Sequence, residues 1–379
     1  MNVALAHHWL THYRGGERVL EQIASLFPGS QIYTLVHNRQ LQIPGLKGHD
    51  VVSSRLDRIP GILRCYRHLL PVHPLAIQAM QVPDHVDVLL SSDAALMKGI
   101  TVSDQTTHIC YCHSPPRYLW ELGAEYKKNS LAARVALDRF APMLRRFDYQ
   151  AAQKVSHFIA NSHFVSDRIR KYYDRESVVI YPPVAVNEFR ADQKREPFAL
   201  VISELVPYKR IDIVIEAFNR LGTKLVVIGD GPERKRLESM AKSNIQFLGR
   251  QPFSTLKSKY ETASVFVFPG IEDFGITPVE AQAAGCPVLA FRAGGALETV
   301  RDGQTGAFFD EQNGECLADA MARFDTQQFD ATACRTNAEH FSSHRFQEKY
   351  LAQLSRILGR TISPFDETRL VENQRQSVA

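Results

Sequence analysis

The sequence predicts an α/β protein made of two doubly wound, Rossmann-like domains that face a central cleft. Two observations predict this fold class. Short apolar runs alternate with helical patterns along nearly all of the 379 residues, as expected for mostly parallel sheets covered by helices. The alternation stops at the polar segment 191–197 and then restarts, which indicates a domain boundary nearby.

Composition excludes several other classes of protein. Hydrophobic residues make up 44% and charged residues 23%, which is ordinary for a globular chain and argues against disorder. The net charge of +4 is too small to indicate a nucleic-acid-binding protein. No apolar run approaches the ~18 residues of a membrane-spanning helix. Segment 1–8 lacks the basic start of a signal peptide, so we expect a cytoplasmic protein.

The first predicted domain, residues 1–185, begins with strand Val3–Ala6 and a helix from about Gly16 to Phe27. Further strands are predicted at Gln31–Val36, Val86–Leu90, Thr107–Tyr111 and His157–Ala160. None of the six cysteines forms a C-x-x-C pair, so we interpret them as reduced thiols. We expect the thiols of Cys110 and Cys112 on opposite faces of a strand.

The second predicted domain, residues 186–345, repeats the same alternation. Its strands are predicted at Phe198–Ser203, Lys224–Ile228, Ile245–Leu248, Val265–Phe268 and Pro287–Ala290, with helices at Ile211–Leu221 and Glu233–Ala241. For residues 346–379 the sequence predicts a helix that crosses back to the first domain, followed by a flexible tail. Because ligands of open α/β sheets bind at the carboxyl ends of the strands, a site is expected in the cleft between the domains.

Two motifs of the first domain lie where a predicted strand ends. Gly15 and Gly16 let a ligand approach the backbone, and the helix that follows offers free N–H groups to an anion. His113 follows a strand directly and can form a hydrogen bond inside the cleft. The alternatives are a plain turn for the glycines and a histidine satisfied by backbone for His113.

Two motifs of the second domain also lie at strand ends. Lys209 and Arg210 are adjacent cations at a helix start, an arrangement that opposes the helix dipole unless an anion lies there. A solvated basic turn is the alternative. Glu272 and Glu280 are separated by seven residues and flank the helix start at Gly275. Two carboxylates beside an anion-binding helix start suit the hydroxyls of a sugar and of a ribose.

These motifs resemble the retaining glycosyltransferases of family 4, also called glycosyl transferases group 1. The resemblance covers nearly the whole chain, and its signature is the pair Glu272 and Glu280 around Phe274-Gly275. Other matching motifs are Gly15-Gly16, His113, Asn161-Ser162, Ile228–Pro232, Gly294–Val300 and Asp302–Gly306. Segments 113–118, 205–210 and 272–285 resemble a mannosyltransferase-like branch acting on surface polysaccharides.

The resemblance implies the GT-B fold and a nucleotide-diphosphate-sugar donor held mainly by the second domain. It implies two catalytic residues: Glu272, which contacts sugar hydroxyls, and His113, which supports the sugar near its reacting carbon. It also implies that Lys209 binds the diphosphate, helped by Arg210, and that Glu280 binds the ribose. The complete implied donor-binding set is Gly15, Gly16, Lys209, Arg210, Gly275, Ile276, Thr277 and Glu280.

The implied reaction is transfer of a hexose, with mannose from GDP-mannose as the best guess, to a glycan or lipid-linked oligosaccharide. Retention of the anomeric configuration is expected, without an enzyme nucleophile. The sequence contains no D-x-D motif, so we expect no metal and no other cofactor. Alternatives are a UDP-sugar-dependent enzyme, an epimerase or phosphorylase on the same architecture, and a non-catalytic nucleotide-sugar-binding protein. A dehydrogenase is disfavoured because G-x-G-x-x-G is missing.

One position departs from the family pattern. Many relatives carry an arginine five residues before the phosphate-binding lysine, and this chain has Glu204 there. A carboxylate beside a diphosphate would repel it by about 1–4 kcal/mol. We therefore expect Glu204 to point away from the donor, or the site to use Arg210 or Arg14 instead. The alternative is a weakened or inactive donor site. Arg14 and Arg117 are further candidates for phosphate or acceptor contacts.

Two basic stretches of the first domain suggest contact with an anionic membrane surface. Between Arg55 and Leu69 arginines interleave with apolar residues, which predicts a basic amphipathic helix broken near Pro60-Gly61. A second basic stretch covers 127–146. The alternative is an ordinary solvated helix face.

Overall fold

The computed structural model describes residues 1–121 and 131–362, without the side chains of residues 131–138. The first sheet consists of β1 (Val3–His7), β2 (Gln31–Thr34), β3 (Val51–Ser53), β4 (Val88–Asp93), β5 (Thr107–Cys112), β6 (His157–Ala160) and β7 (Ser177–Val179). The second consists of β8 (Glu196–Ile202), β9 (Leu225–Ile228), β10 (Ile245–Gly249), β11 (Ala263–Phe268), β12 (Val288–Phe291) and β13 (Gly306–Phe309).

Both sheets are parallel and doubly wound, which confirms the predicted fold class. The strand order is β3-β2-β1-β4-β5-β6-β7 in the first sheet and β10-β9-β8-β11-β12-β13 in the second. Every ladder between these strands is parallel. The chain therefore needs a crossover between successive strands, and the helices provide these crossovers.

The α-helices of the described residues cover both faces of the sheets. Those up to the domain boundary are α1 (Gly15–Leu26), α2 (Ile62–Cys65), α3 (His73–Gln78), α4 (Arg117–Trp120), α5 (Leu131–Lys154) and α6 (His163–Tyr173). Those beyond it are α7 (Ile211–Leu221), α8 (Arg234–Met240), α9 (Phe253–Thr262), α10 (Ile276–Ala283), α11 (Ala296–Thr299), α12 (Gly314–Arg323), α13 (Ala331–Glu339) and α14 (Ser343–Leu358). Among them, none combines the length and the apolar run needed to cross a bilayer.

The strands are apolar on both faces because each sheet lies between two layers of helices. Leu5 packs in one core cluster, and its neighbours Ala4 and Ala6 pack in a different cluster on the other face of β1. The expectation for Cys110 and Cys112 was wrong. Both pack in the same cluster, since side chains two positions apart in a strand share a face.

Two segments of chain connect the domains near Val184. There the N–H of Val184 donates to the carbonyl of Phe341 at 2.9 Å, so the outgoing and the returning segments pair side by side. The returning segment continues into α14, which has Ser342 as its N-cap and Gly359 as its C-cap. This helix packs on the core of the first domain through Phe346, Tyr350, Leu351 and Leu354. The predicted tail, residues 363–379, lies outside the described residues.

The basic segment 55–69 is not one amphipathic helix. The break at Pro60-Gly61 is confirmed, because Gly61 has a φ of 74°, in the left-handed region. The chain then forms α2 and two short 3-10 turns rather than one helix. Pro71 and Pro74, which follow, cannot donate backbone hydrogen bonds within a longer helix. Part of the other basic stretch, 127–146, lies outside the described residues.

The docking of α14 makes the last helix part of the first domain's core. Replacing Phe346, only 2% exposed, with Ala should lower the free energy of unfolding by about 3–5 kcal/mol, because it leaves a cavity between α14 and the sheet. Denaturant unfolding measures this change. The exposed Arg356→Ala on the same helix should change it by less than about 0.5 kcal/mol. Equal effects of the two substitutions would contradict this packing.

Candidate functional site

A cavity of about 730 Å³ lies between the two domains at the carboxyl ends of the strands. Its volume is in the usual range for small-molecule sites. The first domain contributes the loop Thr11–Arg14 after β1, and the second contributes the loops that follow β8, β9, β10 and β11. Of the predicted site residues, the cavity is lined by Arg14, Lys209, Glu272 and Thr277.

Lys209 and Glu272 form an ion pair in the wall of this cavity. Lys209 ends a short 3-10 turn, Pro207–Lys209, shortly after β8, and Glu272 lies in the loop after β11. The lysine ammonium contacts a carboxylate oxygen of Glu272, and both side chains are about one-fifth exposed or less. Burial, and then the charge of Arg117, lower the pKa of Lys209 to about 7. The Glu272 carboxylate in contact with it favours the ammonium form.

The loop that carries Glu272 is held by glycines. The N–H of Gly295 donates to the carbonyl of Glu272 at 2.9 Å, and a Cβ on Gly295 would lie 2.3 Å from the carbonyl oxygen of Phe274. Only glycine allows this approach. Gly275 then starts α10 with a φ of 87°, so its N–H and those of the next residues form the free end of the helix.

The two predicted backbone elements for the donor face each other across the cleft. A Cβ on Gly15 would lie 2.6 Å from the Cδ1 atom of Ile276, which begins α10. The N-terminus of α1 in the first domain therefore approaches the N-terminus of α10 in the second. Gly15, Gly16, Gly275 and Ile276 are not among the residues that line the described cavity.

Glu280 is bound by two partners that the sequence analysis missed. Arg18 of α1 donates to one carboxylate oxygen of Glu280 at 2.7 Å, and the hydroxyl of Tyr260 donates to the other at 3.0 Å. Arg18 comes from the first domain, so the contact bridges the cleft. A signal did exist, because Arg14 and Arg18 are one turn apart where a helix begins at the cleft.

Glu204 does line the cavity, and it is compensated by Arg14. The Arg14 guanidinium donates to the Glu204 carboxylate at 3.0 Å, and both side chains are partly exposed. Arg210 is placed differently from Lys209. It has a φ of 55°, bonds to Asp212 at 3.2 Å and to Gln312 at 3.3 Å, and does not line the described cavity.

His113 lies behind the glycine loop rather than in the cavity wall. Its Nε2 atom is 2.8 Å from the hydroxyl of Ser92, and that hydroxyl is 3.2 Å from Nδ1 of His7. Burial, together with the neighbouring His8 and His7, lowers the pKa of His113 to about 3. His113 is therefore neutral at physiological pH. It can exchange a hydrogen bond but does not carry a charge.

One group of side chains in the described part of the chain has the composition of a metal site. His7, His8 and Glu17 are buried, and their ligand atoms lie within 4.8 Å of one another. Both carboxylate oxygens of Glu17 already have protein neighbours. One accepts a hydrogen bond from the N–H of Arg14 at 2.8 Å, and the other is 3.6 Å from Nε2 of His7. The expectation that the site needs no metal stays a prediction.

Arg117 reaches across the cleft from the first domain. Its guanidinium donates to the carbonyl of Ile271 at 3.2 Å and lies over the ring of Tyr208, with 5.5 Å to the ring centroid. It therefore contacts the backbone beside Glu272 in this structure.

Comparisons with known proteins agree with the fold. Residues 186–341 match the family model described as glycosyl transferases group 1. Over 94% of the chain, the structure is similar to the Anabaena protein HepE in complex with UDP and glucose, with a TM-score of 0.69, 19% identity and 99% of that chain covered. Sucrose-phosphate synthase from Thermosynechococcus elongatus gives a TM-score of 0.70 at 18% identity, with 94% and 98% of the two chains covered.

Two curated relatives match parts of the sequence. An uncharacterized glycosyltransferase of Methanocaldococcus jannaschii is 27% identical over 56% of this chain and 62% of its own length. The GDP-mannose-dependent alpha-(1-6)-phosphatidylinositol monomannoside mannosyltransferase of Mycolicibacterium smegmatis is 31% identical over 40% of this chain and 44% of its own length. The chain thus spans less than two thirds of the length of either relative. Its second domain is thus similar to the glycosyl transferases group 1 family, and the chain has the two-domain GT-B fold.

Proposed function

We propose that this protein is a retaining glycosyltransferase that transfers a hexose from a nucleotide-diphosphate sugar to a glycan or lipid-linked acceptor. The observation that carries the proposal is the Lys209–Glu272 pair in the wall of the interdomain cavity. It places a cation for a diphosphate beside a carboxylate for sugar hydroxyls. The free N-terminus of α10 is a second electropositive element of the second domain.

Donor binding separates this ion pair. In the free protein Lys209 and Glu272 neutralise each other. A diphosphate offers Lys209 stronger charge-assisted hydrogen bonds, and the released Glu272 carboxylate then accepts hydrogen bonds from the sugar hydroxyls. Glu280 is assigned to the ribose, which requires it to exchange Arg18 or Tyr260 for ribose hydroxyls. Exchange of Arg18, which comes from the first domain, would couple donor binding to the contact between the domains.

The transfer itself needs no enzyme nucleophile. The bond between the anomeric carbon and the diphosphate oxygen breaks, and the acceptor oxygen bonds to that carbon on the same face. The acceptor proton passes to the departing phosphate oxygen, and the nucleoside diphosphate leaves. Lys209 and the helix N-terminus stabilise the developing charge in place of a metal ion. Neutral His113 supplies a hydrogen bond to the sugar.

GDP-mannose is the donor we propose first. The mannosyltransferase of Mycolicibacterium smegmatis is named as GDP-mannose-dependent, and its likeness at 31% identity supports the choice. UDP-sugars come next, because the structurally similar HepE was crystallised with UDP.

The donor assignment is tested by calorimetry with GDP-mannose, UDP-glucose, UDP-galactose, UDP-GlcNAc and the free nucleotides, all in EDTA. We expect selective binding of GDP-mannose and turnover that EDTA does not reduce. Selective binding of a UDP-sugar would overturn the mannose assignment. Binding without turnover would favour the non-catalytic alternative, and loss of turnover in EDTA would contradict a metal-independent site.

Lys209→Ala should weaken donor binding about 10- to 100-fold, because it removes charge-assisted hydrogen bonds to the diphosphate. Glu280→Ala should weaken nucleotide binding less than this. Calorimetry with the selected donor measures both changes. Lys235→Ala, an exposed lysine of the same domain, is the matched control and should leave affinity unchanged. Unchanged affinity in Lys209→Ala would remove the proposed diphosphate site.

His113→Ala should lower kcat about 100-fold with little change in donor affinity, because a buried hydrogen bond to the reacting sugar is lost. Since the pKa of His113 is lowered to about 3, its ionisation should add no limb to the pH profile of kcat between pH 5 and 8. The exposed His68→Ala serves as control. Full activity of His113→Ala would show that the reacting sugar lies elsewhere.

We also propose that the first domain rests on the cytoplasmic face of an anionic membrane. Apolar and basic side chains of segment 55–75 are exposed together. The apolar members include Leu63 at 44% and Leu75 at 70% exposure. The basic members are Arg55, Arg58, Arg64 and Arg67, all exposed. Such a surface suits anionic lipid, where a lipid-linked acceptor would also be found.

Flotation with liposomes tests this proposal. The protein should float with anionic liposomes at low salt, remain unbound with neutral ones, and dissociate as salt rises, because the arginine contribution is screened. The double variant Leu63→Ser/Leu75→Ser should bind less at every salt concentration. Binding that is absent or insensitive to salt would exclude this surface.

A further inference from the structure

The start of α6 touches the loops of both domains that carry the proposed catalytic residues. Asn161, before the helix, donates from Nδ2 to the carbonyl of His113 at 3.0 Å. Ser162, the N-cap, donates to the carbonyl of Asp273 at 2.6 Å, and Asp273 directly follows Glu272. Two adjacent residues thus contact the loop after β5 and the loop after β11.

Arg168, six residues after Ser162 in α6, binds the same two loops at once. Its Nη1 donates to the Ser114 hydroxyl at 2.8 Å and also to the carboxylate of Asp273 in the second domain. Its Nε donates to Glu121 at 2.7 Å. The Arg168 side chain is only 4% exposed, so these partners replace water around its charge. A single guanidinium therefore ties residues of both domains together.

A third contact belongs to the same junction, by which we mean the contacts that join α6 to the second domain. The backbone N–H groups of His163 and Phe164, at the free end of α6, donate to the two carboxylate oxygens of Glu298 at 2.8 and 3.0 Å. Glu298 belongs to α11 of the second domain, beside the glycines that hold the Glu272 loop. A negative side chain at a helix N-terminus is the favourable arrangement. Backbone, N-cap and Arg168 thus all bind the second domain.

We propose that Arg168 is a positioning residue of the transfer reaction, which fixes the spacing between His113 and Glu272 by holding Asp273 and Ser114 together. This rests on the proposed function, since that assigns the sugar to His113 and Glu272. These two residues come from different domains, so their separation depends on how the domains are held. Arg168 touches no proposed substrate position and acts through the two loops.

The contacts of Arg168 require a guanidinium group. Arg168 uses Nε, Nη1 and Nη2 for different partners, and only a planar guanidinium offers these donors in a fixed fork. Lysine keeps the charge but supplies one donor centre. Arg168→Lys should therefore be intermediate between the wild-type protein and Arg168→Gln.

The test compares Arg168→Gln, Asp273→Asn and the double variant, with the selected donor and acceptor. We expect kcat to fall about 100-fold in each single variant, since a displacement of about 1 Å has effects of that size. Donor Kd should change less than about threefold. Because both changes break the same contact, the double variant should lose no more than the more severe single variant. Asp273→Asn keeps the test available if Arg168→Gln does not fold.

Arg170→Gln is the matched control on the same helix. Arg170 is exposed and pairs with Glu176 of its own domain at 2.9 Å, so kcat should stay at the wild-type value. Three results would overturn the proposal: losses that multiply in the double variant, donor Kd that weakens in parallel with kcat, or Arg168→Gln activity equal to that of Arg170→Gln.

A second readout separates this proposal from the proposed function. Small-angle X-ray scattering of the free protein needs no donor, and we expect a larger radius of gyration in Arg168→Gln than in Arg170→Gln. If the wild-type protein transfers no sugar but this difference is found, the proposed function fails and the junction stands. An unchanged radius in Arg168→Gln would overturn the role of Arg168 in holding the domains together, even if the enzyme is active.

Discussion

Parallel strand pairing is the constraint on which the rest of this molecule depends. In a parallel sheet every strand ends at the same edge, so the loops that follow the strands collect there. The two sheets turn these edges toward each other, and the cavity between them is lined by loops from both. Lys209 follows β8 and Glu272 follows β11, and these strands are neighbours in the second sheet. Their contact is a direct consequence of that pairing.

Charge neutralisation in the cleft is the second theme of the structure. Arg18 binds Glu280, Arg14 binds Glu204, and Lys209 binds Glu272. In such a pair, each charge offsets part of the free-energy cost of removing the other from water. The charged cleft is therefore stable without a ligand. In the proposed function, an anionic donor competes for the cations and leaves the carboxylates to sugar hydroxyls. The same pairs would therefore neutralise the free cleft and select an anionic ligand in the proposed function.

Glu204 illustrates how tertiary structure changes the meaning of a residue. Next to a diphosphate it is unfavourable, and the sequence predicted that Glu204 points away or that Arg210 or Arg14 serves the site instead. The structure pairs it with Arg14 from the opposite domain at 3.0 Å. Arg210, adjacent to Lys209 in sequence, instead binds Asp212 and Gln312. The two adjacent cations therefore have different surroundings. Arg210 itself has a left-handed backbone conformation, which turns the chain between the 3-10 turn and α7.

The sequence by itself determined the two-domain α/β fold and the strand-end position of the site residues. Apolar runs and glycines act locally, and parallel strands leave few alternative arrangements. It did not determine the contacts between domains, such as Arg18 with Glu280 or Arg168 with Asp273. Those residues are far apart in the chain and have no periodic pattern in common. Only the docking of the two sheets decided which charges meet, because ion pairing depends on distance in space.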